Sequence, residues 1–408
     1  MKDILTTVLS KEAGGKIIRK ALTCVLLLAL LMLFSVSCSS SQSASTAQVQ
    51  PGFETDFQKN FHNGNFGNIA CESDDGYYIL NNFFLYYIDK ASMQSTIACG
   101  KPDCKHSDET CNAFVDANDI AYYDHKIYYL ESIHNNVYSM DLDGTNRKKL
   151  FAYNNNNSSS FIMHRGYIYY IEDSVLYAVP LSDTSSKVKI HEFTDIGDDY
   201  YFMLWADGDN IYVCTDNKDY VQEFFSYNLS NEEVKLVWSA DMIDQDWVAK
   251  GIGVNGWYIS NNVLYYYLCG NGIWKYDLVS QTYTRISKEG DNFSSGYASF
   301  DEKYIYINTA DSPLIVAPKD PADYQILTYD YQGQLVDTVN IGADYVKNNY
   351  TSFSIIGSSE GVLFCAGVSS EEVTIADLYI TNVQGFSYLP IPNQSKGVID
   401  LNLTTKPG

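Results

Sequence analysis

Proline is scarce in this 408-residue chain, with nine residues, and glycine, with 26, is near its usual share. That composition excludes a collagen-like repeat and a low-complexity chain. Basic residues are also short, 27 Lys and Arg against 50 Asp and Glu. Nucleic acid and anionic membrane surfaces repel a body of that sign, so neither is expected as a ligand. The surplus of carboxylates suits solvated loops, cationic ligands or Ca²⁺. Helical periodicity is nearly absent; only Met242–Ala249 offers a turn or two. What is abundant is apolar and aromatic: 46% of residues are hydrophobic and 35 are Tyr. A large core is therefore available, and global disorder is excluded.

The N-terminal region reads as an address. Lys16, Arg19 and Lys20 precede an apolar run from Leu22 to Phe34, interrupted by Thr23. A basic region followed by an apolar stretch of this length predicts a secretory signal peptide over residues 1–37. It is too short for a membrane-spanning helix, and no later segment reaches about 18 consecutive apolar residues. The run ends in Ser35-Val36-Ser37-Cys38, which resembles the bacterial lipobox, with Ser35 where leucine is usual. The resemblance implies diacylation of Cys38 and extracytoplasmic anchoring to the cell membrane through that lipid. Ser39–Gly52 carries no charge and predicts a flexible tether spanning roughly 20 Å. Cleavage before Cys38 leaves 22 basic and 48 acidic residues, a net charge of −26.

A repeat crosses the remaining chain, residues 53–408, which is read as one domain. Asp89, Asp141, Pro180, Asn228, Asp277, Asp330 and Asn382 are spaced 52, 39, 48, 49, 53 and 52 residues apart. Four positions before them stand Leu85, Val137, Leu176, Phe224, Ile273, Ile326 and Leu378. Three before stand Tyr86, Tyr138, Tyr177, Phe225, Trp274, Leu327 and Tyr379. Adjacent strand residues point to opposite faces, so apolar side chains at both positions predict strands covered on both sides. A second aromatic run precedes each anchor, such as Ile127–Leu130 or Val263–Leu268, and a shorter one follows most, such as Val188–Ile190. Short strands joined by Asn, Asp, Gly and Ser turns are hairpin patterning. An all-β fold follows, a β-propeller most simply of seven four-stranded blades, with six or eight also compatible. Val398–Leu403 or the Phe57–Ile69 region is expected to supply the strand that closes the ring.

The copy Val137-Tyr138-Ser139-Met140-Asp141-Leu142-Asp143-Gly144, with Ile127-Tyr128-Tyr129 before it, resembles a blade of the low-density-lipoprotein-receptor (YWTD-type) propellers. It is especially similar to bacterial surface lipoproteins of unknown function built on that repeat. Gln332-Gly333 and Gln384-Gly385 keep the turn glycine, and no copy has an intact Tyr-Trp-Thr-Asp. The resemblance implies a binding scaffold and names no substrate.

The densest chemistry lies in the loop 99–111, where Cys99, Cys104, His106 and Cys111 follow the pattern C-x4-C-x-H-x4-C. Three thiolates and one imidazole would complete a closed structural zinc site. One or two disulfides, with Cys71 as a further partner, are the competing reading for an exported chain; free thiols are the third. Cys214, Cys269 and Cys365 end the aromatic run of their copies and are expected as core. Catalytic motifs are missing. Gly357-Ser358-Ser359-Glu360-Gly361 is no nucleophile elbow, and His62, His125, His134, His164 and His191 have no partner spacing. Asp141–Gly144 lacks the remaining ligands of a calcium loop and reads as a hairpin turn. Trp205, Trp247 and Trp257 lie outside the repeat positions and are candidates for the rim of a binding face. The expected function is non-catalytic recognition of a protein or glycan through propeller loops. The alternatives are an extracytoplasmic carbohydrate-active hydrolase or lyase using loop carboxylates, and an envelope-assembly or sensor scaffold.

Overall fold

The computed structural model describes residues 68–131, 134–154, 161–197, 201–242, 254–268, 270–288, 297–310, 320–369, 375–382 and 385–389. For the last two segments only the strands are described. All belong to the second of two compact units, Ala47–Gly408. The expected signal peptide, Cys38, the expected tether, Trp247, Cys269 and His62 lie outside the described residues.

The unit is a β-propeller of four-stranded antiparallel sheets. Sheet 1 holds β1 (Ala70–Glu72), β2 (Gly76–Asn81), β3 (Phe84–Asp89) and β4 (Ser95–Ile97). Sheet 2 holds β5 (Ala117–Tyr123), β6 (Lys126–Glu131), β7 (Asn136–Asp141) and β8 (Lys148–Ala152). The pattern repeats in sheet 3, β9 (Phe161–His164), β10 (Tyr167–Glu172), β11 (Val175–Pro180) and β12 (Val188–Glu192), and in sheet 4, β13 (Met203–Asp207), β14 (Asn210–Asp216), β15 (Gln222–Asn228) and β16 (Val234–Ser239). Sheet 5 holds β17 (Val254–Ser260), β18 (Val263–Leu268), β19 (Gly272–Asp277) and β20 (Thr282–Arg285). Sheet 6 holds β21 (Tyr297–Phe300), β22 (Tyr304–Asn308), β23 (Gln325–Asp330) and β24 (Leu335–Asn340). Sheet 7 holds β25 (Tyr350–Ser359), β26 (Val362–Ser369), β27 (Ile375–Asn382) and β28 (Gly385–Leu389). First strands adjoin in cyclic order, β1 beside β5, then β9, β13, β17, β21 and β25, and β25 returns to β1.

Every repeat anchor is the last residue of a third strand. The reason is local: a carboxylate or amide there caps the turn that follows. Asp277 Oδ1 accepts the backbone N–H groups of Val279 and Ser280 at 2.9 and 2.7 Å. Asn228 and Asp330 do the same for their own turns. Pro180 cannot, and Asp183 takes over by accepting from Ser185. Two-residue turns join other strand pairs, with positive φ at Asn261 and Asn262 (53° and 61°), as a twisted hairpin requires.

The core is divided among the seams between sheets. The residues four before the anchors, Leu85, Val137, Leu176, Phe224, Ile273 and Ile326, are at most 1% exposed. Those three before stand on the opposite face of the strand; Tyr86 is buried and Tyr138, Tyr177, Phe225, Trp274 and Leu327 are half-buried. One apolar cluster joins sheets 1 and 2, and the largest runs through sheets 4, 5 and 6.

Sheets 1 and 7 are each built from four consecutive strands, and 57–67 and Val398–Leu403 lie outside the described residues. Among the described residues, sheets 1 and 7 meet through side chains. Tyr77 meets Phe364 edge-on at 4.7 Å, with Ala70, Ile79 and Ile356 around them. Ser359 donates to the buried carboxylate of Glu72, which also takes Lys90 Nζ at 2.6 Å. Of the helical segment expected at Met242–Ala249, residues 243–249 lie outside the described ones; a 3₁₀ turn, Ala240–Met242, ends at its first residue. A six-residue helix, α1 (Gly342–Lys347), precedes β25 and was not evident from periodicity.

Candidate metal centre

Residues 98–116 connect β4 to β5 without forming a strand of their own. Two turns shape the segment. Pro102 occupies the second position of the turn Lys101–Cys104, closed by Cys104 N–H donating to Lys101 O at 3.3 Å, a position where fixed φ is favourable. Asp108 opens the turn to Cys111, whose N–H donates to Asp108 O at 3.0 Å. The Asp108 carboxylate accepts both the Thr110 hydroxyl and its backbone N–H, which holds that carboxyl below the usual range. Between the turns His106 has φ of 52°, a left-handed residue that sends the chain back on itself.

The result is convergence. One donor atom from each of Cys99, Cys104, His106 and Cys111 lies within 4.8 Å of all the others. His106 Nδ1 is 3.3 Å from Cys111 Sγ. Cys111 is buried and the other three are half-buried. Burial pushes the Cys111 thiol up to about 12, and its thiol neighbours Cys104 and Cys99 add to the rise. Burial also opposes ionisation of Cys99, but N–H groups of Lys101 and Asn112, with the Cys111 and Cys104 thiols, outweigh it and lower its pKa. Such a group can hold a metal ion.

The described cysteines carry free thiols, so the disulfide reading is not what the structure displays. Cys71 sits in β1, fully buried against Tyr78 and outside the convergent group; burial raises its pKa, helped by Asp119 and Glu72. Cys214 and Cys365 are buried in β14 and β26.

The loop is fixed to two sheets at once. On sheet 1, Leu85 N–H donates to Ala113 O and Val115 N–H to Phe83 O, while Phe114 packs on Phe83 and Phe84. On sheet 2, Gly100 N–H donates to Asp143 O, and Arg147 Nη2 donates to Asn112 O and Phe114 O at 3.0 and 2.7 Å. The turn glycine of the Asp143-Gly144 pair gains its reason here. Gly144 has φ of 76°, and a Cβ on it would lie 2.2 Å from Asn112 O. Asn112 and Arg147 carry no signature that spacing alone would reveal.

Other candidates fall elsewhere. Trp205 and Trp257, expected at a rim, are 9% and 1% exposed and belong to the seam between sheets 4 and 5. Trp205 Nε1 donates to Ile259 O at 2.9 Å, and Trp257 meets Phe224 edge-on at 4.8 Å. Both lie on first strands, β13 and β17, which pack against the neighbouring sheet. His164 ends β9, is 1% exposed and reaches Gly208 O through Nε2 at 2.9 Å; burial drives its pKa down to about 4. His125 and His134 are exposed beside Asp74 and Glu131. Asp141–Gly144 is a hairpin turn, with Gly144 N–H donating to Asp141 O.

No family model and no curated protein matches the chain. Among solved structures, the chain is similar to a chain from a study of two prolyl endopeptidases, with TM-score 0.51, 12% identity and 81% of this chain covered. It spans half the length of that chain. It is also similar to an oligogalacturonate lyase in complex with manganese (TM-score 0.47, 12% identity, 80% of this chain and 89% of that one). A chain of a nidogen/laminin complex gives TM-score 0.41 at 9% identity over 64% of this chain and 92% of that one. At these identities the likeness concerns the fold alone.

Proposed function

We propose that the chain is a lipid-anchored, extracytoplasmic scaffold that binds a protein or glycan through the loops of a seven-bladed ring, each sheet serving as one blade, without turnover. The observation that carries this reading is the distribution of aromatic rings. Repeat rings such as Tyr129, Phe224 and Tyr306 are buried in seams, which leaves recognition to turns and edges. Tyr220, in the turn between β14 and β15, is 66% exposed. Around it stand Asp216 and Glu223, whose pKa values burial raises, and the exposed pair Lys218–Asp195 at 3.0 Å. An exposed ring beside carboxylates suits a sugar face or a cationic peptide. The Cys/His loop serves the scaffold as a structural metal site. Anchoring rests on the lipobox resemblance at Cys38, and the bacterial surface-lipoprotein reading rests on the repeat.

Glycan arrays and envelope-protein capture, run beside a reducing-end release assay, test the reading. Saturable binding that weakens about tenfold or more in Tyr220→Ala is the expected result. Polymer cleavage abolished by a single Asp or Glu substitution would replace it with the hydrolase or lyase. Cys38→Ala is expected to release the protein from the membrane fraction; unchanged sedimentation would remove the lipid anchor.

A further inference from the structure

We propose that Cys99, Cys104, His106 and Cys111 bind one Zn²⁺ in a closed Cys₃His tetrahedron that fastens sheet 1 to sheet 2. The inference rests on the reading of this loop as structural and is independent of what other loops recognise.

The geometry is already close to that of a loaded site. Zn–S bonds of about 2.3 Å and a Zn–N bond of about 2.0 Å give tetrahedral edges of roughly 3.5–3.8 Å. The four donors lie within 4.8 Å of one another, and the His106 Nδ1 to Cys111 Sγ edge is 3.3 Å. Small side-chain rotations therefore close the site. Three sulfurs and an imidazole favour zinc over Mg²⁺, Ca²⁺ or Mn²⁺, which prefer oxygen. Four protein donors leave no open position for substrate water, so the site is structural.

Backbone donors reach two of the sulfurs. Backbone N–H groups of Lys101 and Asn112 point at the Cys99 sulfur, and that of Ala113 points at Cys111. Loading releases three thiol protons and changes no oxidation state. Three thiolates and one Zn²⁺ leave a net charge of −1, which those N–H dipoles and the nearby Lys101 offset.

The position assigns the role. Two ligands, Cys99 and Cys111, stand next to residues that bond across the seam: Gly100 to Asp143, and Asn112 to Arg147. The segment has little core of its own, so a metal that joins its two ends fixes both contacts together.

The test uses the purified full-length protein under reducing conditions. Metal content is measured by mass spectrometry, cobalt replaces zinc for visible spectroscopy, and hydrogen exchange is followed with and without chelator. One zinc per chain and the intense visible bands of tetrahedral thiolate-bound Co²⁺ are expected. Chelation is expected to speed exchange about tenfold or more at amides of 98–116 and 143–147, leaving sheets 4 to 6 unchanged. Cys104→Ser and His106→Ala are expected to weaken zinc binding by about tenfold or more. Folded protein without zinc, unable to take up cobalt, overturns the site. Bound zinc whose removal leaves the seam amides unchanged overturns the fastening role alone. The native protein answers both questions even where a variant fails to fold.

Discussion

Truncating Phe224 to alanine tests the packing between sheets 4 and 5. The side chain is fully buried in β15, with Trp238 5.3 Å and Trp257 4.8 Å away, both edge-on. The indoles are themselves almost fully buried and have little room to collapse into the space a lost ring would leave. A buried Phe→Ala change in such a setting costs about 3–5 kcal/mol. Of that, roughly 0.5–1.5 kcal/mol reflects each lost edge-to-face contact beyond area alone. Phe225, one residue on, faces sheet 3 and is only half-buried, meeting Phe193 at 5.1 Å. Phe225→Ala is therefore expected to cost clearly less, because a single step along a strand changes the face. Urea unfolding followed by tryptophan fluorescence reads the global loss, and native-state hydrogen exchange in β14–β18 reads the local one. Equal costs at the two positions, or less than about 1 kcal/mol at Phe224, would refute the assignment of faces and with it the seam.

Two further outcomes are expected. Gly144→Ala places a Cβ on a left-handed residue and against Asn112 O, so destabilisation of about 2–4 kcal/mol is expected, with exchange rising first in 98–116; unaltered exchange there would show that the loop does not rest on this turn. His164 is held neutral by burial, with its pKa lowered to about 4, whereas the unfolded chain takes up the proton near the ordinary value of about 6.5. Since the unfolded state binds more protons in that window, stability is complete above about pH 6.5 and falls by roughly 3 kcal/mol as pH drops to about 4. His164→Gln is expected to flatten that part of the urea-midpoint profile, and an unchanged slope would assign it to other groups.

The repeat was legible because one residue type does one local task. Asp277 and Asp330 cap their own turns through backbone N–H groups a few residues away, so their spacing survives in the sequence as a period. Second and third strands were legible for a related reason, since Val137 and Tyr138 each face a neighbouring sheet. First strands carry fewer marks: the burial of Trp205 and Trp257 depends on the next sheet, which periodicity within one copy does not report. The C-x4-C-x-H-x4-C spacing marked the four residues that could hold a metal ion, yet their convergence required the left-handed turn at His106. Arg147, a partner of that loop, lies 35 and 33 residues from the Asn112 and Phe114 carbonyls it reaches, a separation at which local pattern is silent.

Each sheet is assembled from neighbours in the chain, so nearly all strand pairing is short-range, and such pairing forms early and quickly. The bond between Ser359 and Glu72 is different, spanning 287 residues. A nascent chain can therefore complete one sheet after another as it emerges, while the last union waits for the final copy. The order of synthesis is then also the order of assembly, and the junction of first and last sheets is where an incomplete molecule stays open to partners, proteases or its own kind.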